Sequence, residues 1–321
     1  MDTRGNWSNQ IPDVGLKLAE FFDQGQMLYT PGINMVLTQT TGAGAQKNYE
    51  GKTHAGRLKK TDEGDAVASN NRYLSYLTKV SYTKYTGSLE VTEEMLEDRD
   101  FDEAFGEAKE LGRAANFSLD EAGMQLFNGA FATTTNVRGY EMTWYGDGVP
   151  TYSTIHPSKV PGASTQSNAS STGIVFSHDN LETANLALIE QQDDAGFPIG
   201  TNGKPMIVAA PALAREVREE TESQLDPTSA NNAINVSRGM FDSTTSLFLS
   251  AANGGSNTAW FLVTPGMDKQ YHEVRKAPVF ELDNSVRTGT TLFTVKARWA
   301  NWVGDWRYKY GSKGDLAAYS S

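Results

Sequence analysis

Residues 101–127 read FDEAFGEAKELGRAANFSLDEAGMQLF, and the fold turns on this stretch. Phe101, Ala104, Phe105, Ala108, Leu111, Ala115, Leu119, Ala122 and Leu126 recur at steps of three and four, which sets them on one face of a helix. Asp100 with Glu103 reads as a capping pair, and Thr92 with Glu93 and Glu94 opens a shorter lead-in turn whose acids suit a helix amino end. A helix over 100–127 is about 40 Å long. Gly106 and Gly112 each cost about 1 kcal/mol relative to alanine, so packing of the striped face must hold the rod. The helix is a beam on which other elements rest.

On its amino side, residues 1–47 read as an arm. Leu16, Leu18, Ala19 and Phe22 supply one or two helical turns, and Gly25, Pro31, Gly32, Gly42 and Gly44 break up the remainder. Residues 48–91 read as a long two-stranded loop, with one limb over 48–54, a charged tip over 56–65 and a return limb over 73–91. In the return limb Val80, Tyr82, Lys84 and Thr86 alternate with Ser81, Thr83, Tyr85 and Gly87. An isolated hairpin is marginal in water, so this one is expected to rest on a neighbour, within the chain or in another subunit.

On the carboxyl side, the Gly-, Ser-, Thr- and Asn-rich residues 128–176 predict an irregular excursion with one short hairpin. Asp179 and Glu182 are expected to cap a helix through Leu181, Ala184, Leu188 and Ile189 that closes at Ala195 and Gly196. Residues 206–210 are apolar throughout and predict a buried strand; Pro211 then opens a helix with Leu213, Val217, Thr221 and Leu225 on one face. Residues 246–251 and 259–264 predict two further strands. Residues 274–282 and 290–300 alternate and predict an antiparallel pair, with Phe293, Val295, Ala297 and Trp299 on one side and Leu292, Thr294, Lys296 and Arg298 on the other. Trp302, Trp306, Tyr308 and Tyr310 suit either a core seam or an exposed interface. The class is α+β, and no internal repeat is visible.

Composition excludes more than it selects. At 321 residues the chain can bury a substantial core, and the absence of cysteine removes disulfides, thiolate metal sites and cysteine nucleophiles together. A formal charge of -11 argues against a protein whose task is gripping nucleic acid, though not against a container facing it. No apolar run reaches membrane-span length, and residues 1–10 carry no signal core. The sequons at Asn6, Asn116, Asn168 and Asn235 read as chance.

Catalytic signals are absent from the pattern. His54, His156, His178 and His272 are not spaced to share a metal, and no nucleophile elbow or zinc-protease pair occurs. Gly203-Lys204 fails as a phosphate loop because Pro198 stands where the first glycine belongs and Pro205 where Ser or Thr belongs. The acids Glu93, Glu94, Glu97, Asp98, Asp100, Asp102 and Glu103 read as helix-dipole compensation rather than a metal or glycosidase site. Lys59 and Lys60 at the loop tip read as solvated charge or an inter-subunit contact. No catalytic residue, metal or cofactor is expected.

The order of arm, two-stranded loop, long helix, α/β unit and returning strands resembles the major head (capsid) proteins of tailed bacteriophages. Gly146, Asp147, Gly148, Thr154, His156 and Pro157 resemble the Asp-Gly and His-Pro region of Mu-like major head subunits. Gln191, Asp193, Gly196, Pro198, Ile199, Val208, Pro211 and Leu213 resemble the helix, turn and strand of their axial domain, with Asn235, Arg238 and Gly239 downstream. Trp260, Phe261 and Leu262 resemble the next buried strand, and Trp306, Arg307, Gly311 and Ser312 the carboxyl-terminal strand. The likeness runs from about Pro12 onward.

This resemblance implies the tailed-phage major capsid protein fold: an amino-terminal arm (1–47), an extended β-hairpin loop (48–91), a peripheral domain with a spine helix (92–176, helix 100–127), an α/β axial domain (177–272), peripheral return strands (273–303) and a carboxyl-terminal strand back to the axial domain (304–321). It implies a non-enzymatic shell protein of the virion, assembled in the host cytoplasm as hexamers and pentamers of an icosahedral head around double-stranded DNA, without sequence-specific DNA binding, cofactor or membrane. In the family the shell expands as DNA enters, and Gly106 and Gly112 are the expected bending points of the helix. Implied partners are further copies of the chain, a portal, a decoration protein and a scaffold that is separate or lost before maturity, since no coiled coil precedes the arm. Met1 reads against a large cleaved extension. Lys52, Arg57, Lys59, Lys60, Glu97 and Asp98 are the expected inter-subunit contacts, and Lys52, Lys59 and Lys60 the loop lysines to consider for the covalent cross-link some relatives form. An encapsulin-like compartment, a carbohydrate-binding tail protein and a carboxylate-based hydrolase are the rival readings.

Overall fold

The computed structural model describes residues 4–53, 58, 60–67, 72–92, 101–200, 203–225, 233–283 and 290–318. The long helix spans Phe101–Asn128, as the stripe predicts, and buries Ala104, Ala108, Leu119, Ala122 and Leu126. Its expected lead-in turn and the Asp100 cap lie outside the described residues.

The amino-terminal segment differs from expectation. It forms a 24-residue helix, Arg4–Met27, rather than one or two turns. The glycines misled here, because they serve a helix contact. A Cβ on Gly25 would lie 1.9 Å from the Lys109 carbonyl oxygen, and one on Gly112 would lie 2.0 Å from that of Phe22. Two helix backbones thus meet at a pair of glycines. The helices run in the same direction, with Phe21 stacked on Phe105 at 4.8 Å and Tyr29 against Phe117 at 5.5 Å. Gly112 is therefore filled by a neighbouring helix, whereas Gly106 has open space around it. After Met27, Asp120 of the long helix fastens the chain: it accepts hydrogen bonds from Tyr29 Oη at 2.5 Å and from Ile33 N at 2.9 Å, at the start of the short helix Ile33–Val36.

Twelve strands form three sheets in the described residues. The six-stranded sheet contains β1 (Thr38–Thr41), β4 (Thr83–Thr92), β5 (Asn136–Val137), β6 (Tyr140–Thr143), β10 (Gln270–Asp283) and β11 (Thr290–Val303). β10 and β11 are antiparallel, as predicted, and β1 runs parallel to β10. The far edge of β11 is shared end to end by β4 and β6. Phe293, Val295, Ala297 and Trp299 all face inward and are buried, packing with the long helix through Ala104, Ala108, Leu119 and Ala122. The four-stranded sheet is ordered β12 (Lys309–Ser312), β9 (Trp260–Val263), β7 (Met206–Ala209), β8 (Asp242–Thr245). Every residue of β7 and β9 is buried, because one face meets the carboxyl end of the long helix and the other meets the helices His178–Ile189 and Ala214–Glu222.

Three further local readings are corrected, and one left open between two alternatives is decided. The return limb of the two-stranded loop is two strands: β2 (Gln46–Lys52) pairs with β3 (Leu74–Ser81), the chain breaks at Tyr82, and β4 joins the large sheet instead. Period-two alternation runs unbroken through the break, so sequence alone could not show it. The cap of helix His178–Ile189 is Ser177, whose hydroxyl accepts from Asn180 N, and the helix ends before a turn in which Asp193 accepts from Ala195 N and Phe197 N. Residues 246–251 are not a strand; Ser246 accepts from Phe248 N and starts 3-10 turns over Leu247–Leu249 and Ala251–Asn253, while the strand lies just before, at β8. Trp302, Trp306, Tyr308 and Tyr310 are all buried, which makes that cluster a core seam.

Candidate assembly interface

The hairpin of β2 and β3 lies against this body, fastened near its two ends by two buried carboxylates, and leads out to the exposed loop residues 58 and 60–67. Glu273, 1% exposed, lies in β10 opposite Ala300. Lys47 Nζ donates to both its oxygens at 3.0 and 3.1 Å, Tyr82 Oη at 2.8 Å and Trp302 Nε1 at 2.9 Å. Lys47 also sits 5.0 Å above the Trp302 ring, and Tyr49 packs on the same indole at 5.2 Å. Burial and the Glu273 hydrogen bond push the Tyr82 hydroxyl up to about 12, so it stays a donor.

At the other end of β3, the Ser75 hydroxyl donates to Asp194 Oδ2 at 3.0 Å and bonds to the Tyr145 hydroxyl, while Lys159 Nζ donates to the Ser75 carbonyl at 2.9 Å. The second Asp194 oxygen accepts from Arg307 Nη2. Arg307 in turn donates from Nη1 to Asp305 at 2.9 Å and from Nε to the Gln192 carbonyl at 2.9 Å, with its guanidinium 4.5 Å from the Trp306 ring. Lys269 Nζ reaches the other Asp305 oxygen at 3.1 Å. Burial opposes the Asp305 charge, yet Arg307 and Lys269 hold its pKa below the ordinary carboxylate range. Opposite charges with every lobe bonded are the arrangement in which a buried ion cluster is stable, and losing one partner costs about 3–5 kcal/mol.

Away from these anchors the hairpin offers apolar groups to solvent. Leu74 and Leu77 on β3 are exposed, as is Tyr73 just before it, and of the described loop residues Leu58 and Val67 are nearly bare. Side chains of this kind gathered on one hairpin and its loop mark a surface meant to be covered.

Of the residues expected to make inter-subunit contacts, Lys52 and Lys60 lie among the described residues. Lys52 closes β2 in solvent, and Lys60 pairs with Asp62 at 3.0 Å where both are exposed, an arrangement worth little. Arg57, Lys59, Glu97 and Asp98 lie outside the described residues, as does His54. The other histidines are held apart. His156 stacks on Trp306 and bonds to Asp147 at 2.7 Å and Asn168 at 3.2 Å; His178 meets Glu220 at 2.9 Å; His272 meets Asn301 at 2.6 Å, and burial lowers its pKa. Among the described residues no group of three His, Asp or Glu could hold a metal. The anchors Glu273, Asp194 and Arg307 escaped sequence reading. The available signal was a charged residue set among aromatics, as in Gln270-Tyr271-His272-Glu273 and Asp305-Trp306-Arg307.

Solved structures with the same fold include one from Mycobacterium phage Patience (TM-score 0.57, 11% identity, covering 100% of this chain and 90% of that one). The capsid of an empty GTA particle (0.53, 12%, 88% and 89%) and that of Myoviridae phage XM1 (0.52, 13%, 87% and 89%) are also similar. They share the tailed-phage capsid fold at identities too low to single out Mu-like subunits. No curated protein matches the sequence. The family described as phage capsid protein matches residues 77–310, well over half of the chain, so the chain belongs to the phage capsid proteins: a structural component of the virion shell, not an enzyme.

Proposed function

We propose that the chain assembles as hexamers and pentamers into an icosahedral phage head that encloses double-stranded DNA. The observation that carries this is the hairpin of β2 and β3, anchored near one end by Glu273 and near the other by Asp194, with Leu74 and Leu77 exposed on β3 and Leu58 and Val67 exposed beyond it. Burial by a neighbour is the physical reason for such a surface, and copies related by rotation can supply it all round a ring. In this reading residues 1–47 are the arm, 48–91 the extended loop, 92–176 and 273–303 the peripheral domain, and 177–272 with 304–321 the axial domain. Further copies of the chain, a separate scaffold, a portal and a decoration protein are its partners. The charge of -11 suits an inner face that encloses DNA without gripping it. Membership of the capsid family sets aside the tail-fibre and hydrolase readings.

The test is to express the chain alone and with a candidate scaffold and to image the soluble fraction by electron microscopy. Closed shells, tubes, or rings of five and six are expected. A monodisperse monomer under both conditions would sink the proposal, and shells purified with a bound cargo peptide would point to a protein compartment instead.

A further inference from the structure

One face of the six-stranded sheet lies on the helices; the opposite face is open beyond the hairpin base. On β4 the residues of that open face, Lys84, Thr86, Ser88 and Glu90, are exposed. The register sets Lys84 opposite Arg298, and Arg298 opposite Lys276 on its other side. Three cations thus stand in one row across three strands, where directly opposed like charges destabilise a sheet. Arg275 lies beside them, 5.8 Å from the Tyr82 ring, and Lys296 follows one pair along β11. Against these five stand Glu90 and Glu281, with Asp283 two positions beyond Glu281 on the same strand, and Glu281 is taken by Lys276 and Lys296. Glu273, nearby, is saturated by four hydrogen bonds from three donor groups. Arg298 donates only a long 3.4 Å bond to the Tyr82 carbonyl, and its Nε has no partner. Such a concentration of positive charge in a chain of net charge -11 needs an anion.

We propose that this row receives the acidic amino end of the long helix of a second copy, through Asp102 and Glu103. Both carboxylates are exposed in the first turn, and the sequence ahead of them is the most acidic of the chain. They do not serve the row of their own copy. Within one copy the helix packs on the other face of the sheet, with Ala104 and Ala108 among Leu89, Val91 and Phe293, so the sheet stands between its first turn and the row. A neighbour related by rotation removes that separation and repeats one heterologous contact around a ring. Nucleic acid fits less well. Two of the five cations are already paired, and Glu90 faces the same side, whereas a duplex calls for an unbroken basic stripe. The inference rests on the shell reading above.

The experiment uses charge exchange and cross-linking in full-length chain. Lys84→Glu with Arg298→Glu, or Asp102→Lys with Glu103→Lys, should each lower particle yield about tenfold or more, and combining all four should restore it. Lys84→Cys with Glu103→Cys keeps the test open should the reversals impair folding. The protein has no cysteine, so a ladder of linked copies on a non-reducing gel of oxidised particles reports only this pair. Normal yield from either reversal, no rescue, or only monomer on that gel would overturn the contact. So would normal particles that have lost nucleic acid, which would assign the face to DNA. Failure of the unaltered chain to form particles in the same series would instead sink the shell reading.

Discussion

Lys47 Nζ meets both oxygens of Glu273, at 3.0 and 3.1 Å, and this contact joins the first strand of the hairpin to the middle of the large sheet. Lys47 is partly exposed and Glu273 is not, so the two ends of the pair differ in importance. Replacing Glu273 by Ala strands the Tyr82 hydroxyl and the Trp302 indole N–H as well as the lysine, and is expected to cost about 3–5 kcal/mol in a denaturant melt. Lys47→Met keeps the other two donors but leaves a buried carboxylate without its cation, and should cost up to about 3 kcal/mol. Hydrogen exchange should quicken in β2 and β3 before it quickens in β7 and β9; uniform quickening would show that Glu273 does not act through the hairpin.

Glycines of the long helix offer an internal comparison. Gly112→Ala drives a methyl group into the Phe22 carbonyl and must push two helices apart, with an expected loss of about 1–3 kcal/mol. Gly106→Ala meets open space at a helical position, and should stabilise by up to about 1 kcal/mol. Thermal melts of the two variants should therefore move in opposite directions, and equal shifts would show that the helix crossing is not tight.

How far the sequence carried the fold depended on what each pattern encodes. The long helix and the β10–β11 pair were legible because their apolar periods of 3.6 and 2 are long and face a single core. The amino-terminal helix was not, because Gly25 and its neighbours act as breakers in isolation and as contact points only once Lys109 is opposite. The break at Tyr82 was invisible because both strands continue one alternation while choosing different partners. The pairing of the limbs over 48–54 and 73–81 was legible, but the anchors that hold them to the body were not. Glu273, Asp194 and Arg307 gain their meaning from groups as far as 226 residues away in the chain.

Lys309 and Asp268 give the fold a dependence on pH. Both are fully buried. Burial pushes the Asp268 carboxyl up to about 6, and burial, offset by Asp268, lowers Lys309 to about 8. A raised carboxyl contributes stability below its unfolded value near 4 that is lost as pH rises through about 6; a lowered lysine contributes stability above about 10.5 that is lost as pH falls through about 8. Between about 6 and 8 both are charged and each depends on the other. At pH 7 Lys309→Met and Asp268→Asn alone should each destabilise by about 3–5 kcal/mol, while the double variant should match or exceed the parent. Urea melts at pH 5, 7 and 9 decide this, and additive losses in the double variant would refute the coupling.

Leu74 and Leu77 separate folding from assembly. Both are exposed on β3, on a strand whose buried positions, Ser75, Thr78 and Val80, already hold the hairpin to the body. Leu74 and Leu77 are about half exposed and belong to none of the buried clusters, so changing them to Glu should shift subunit stability by no more than about 1 kcal/mol. If the hairpin is covered by a neighbour, the same change buries two carboxylates without partners at every copy of the contact, and particles should fail to form. Sedimentation velocity on the variant then shows a folded subunit that does not assemble. Particles forming at the parent's yield would mean that this strand faces solvent in the shell, and that the hairpin is covered elsewhere along its length.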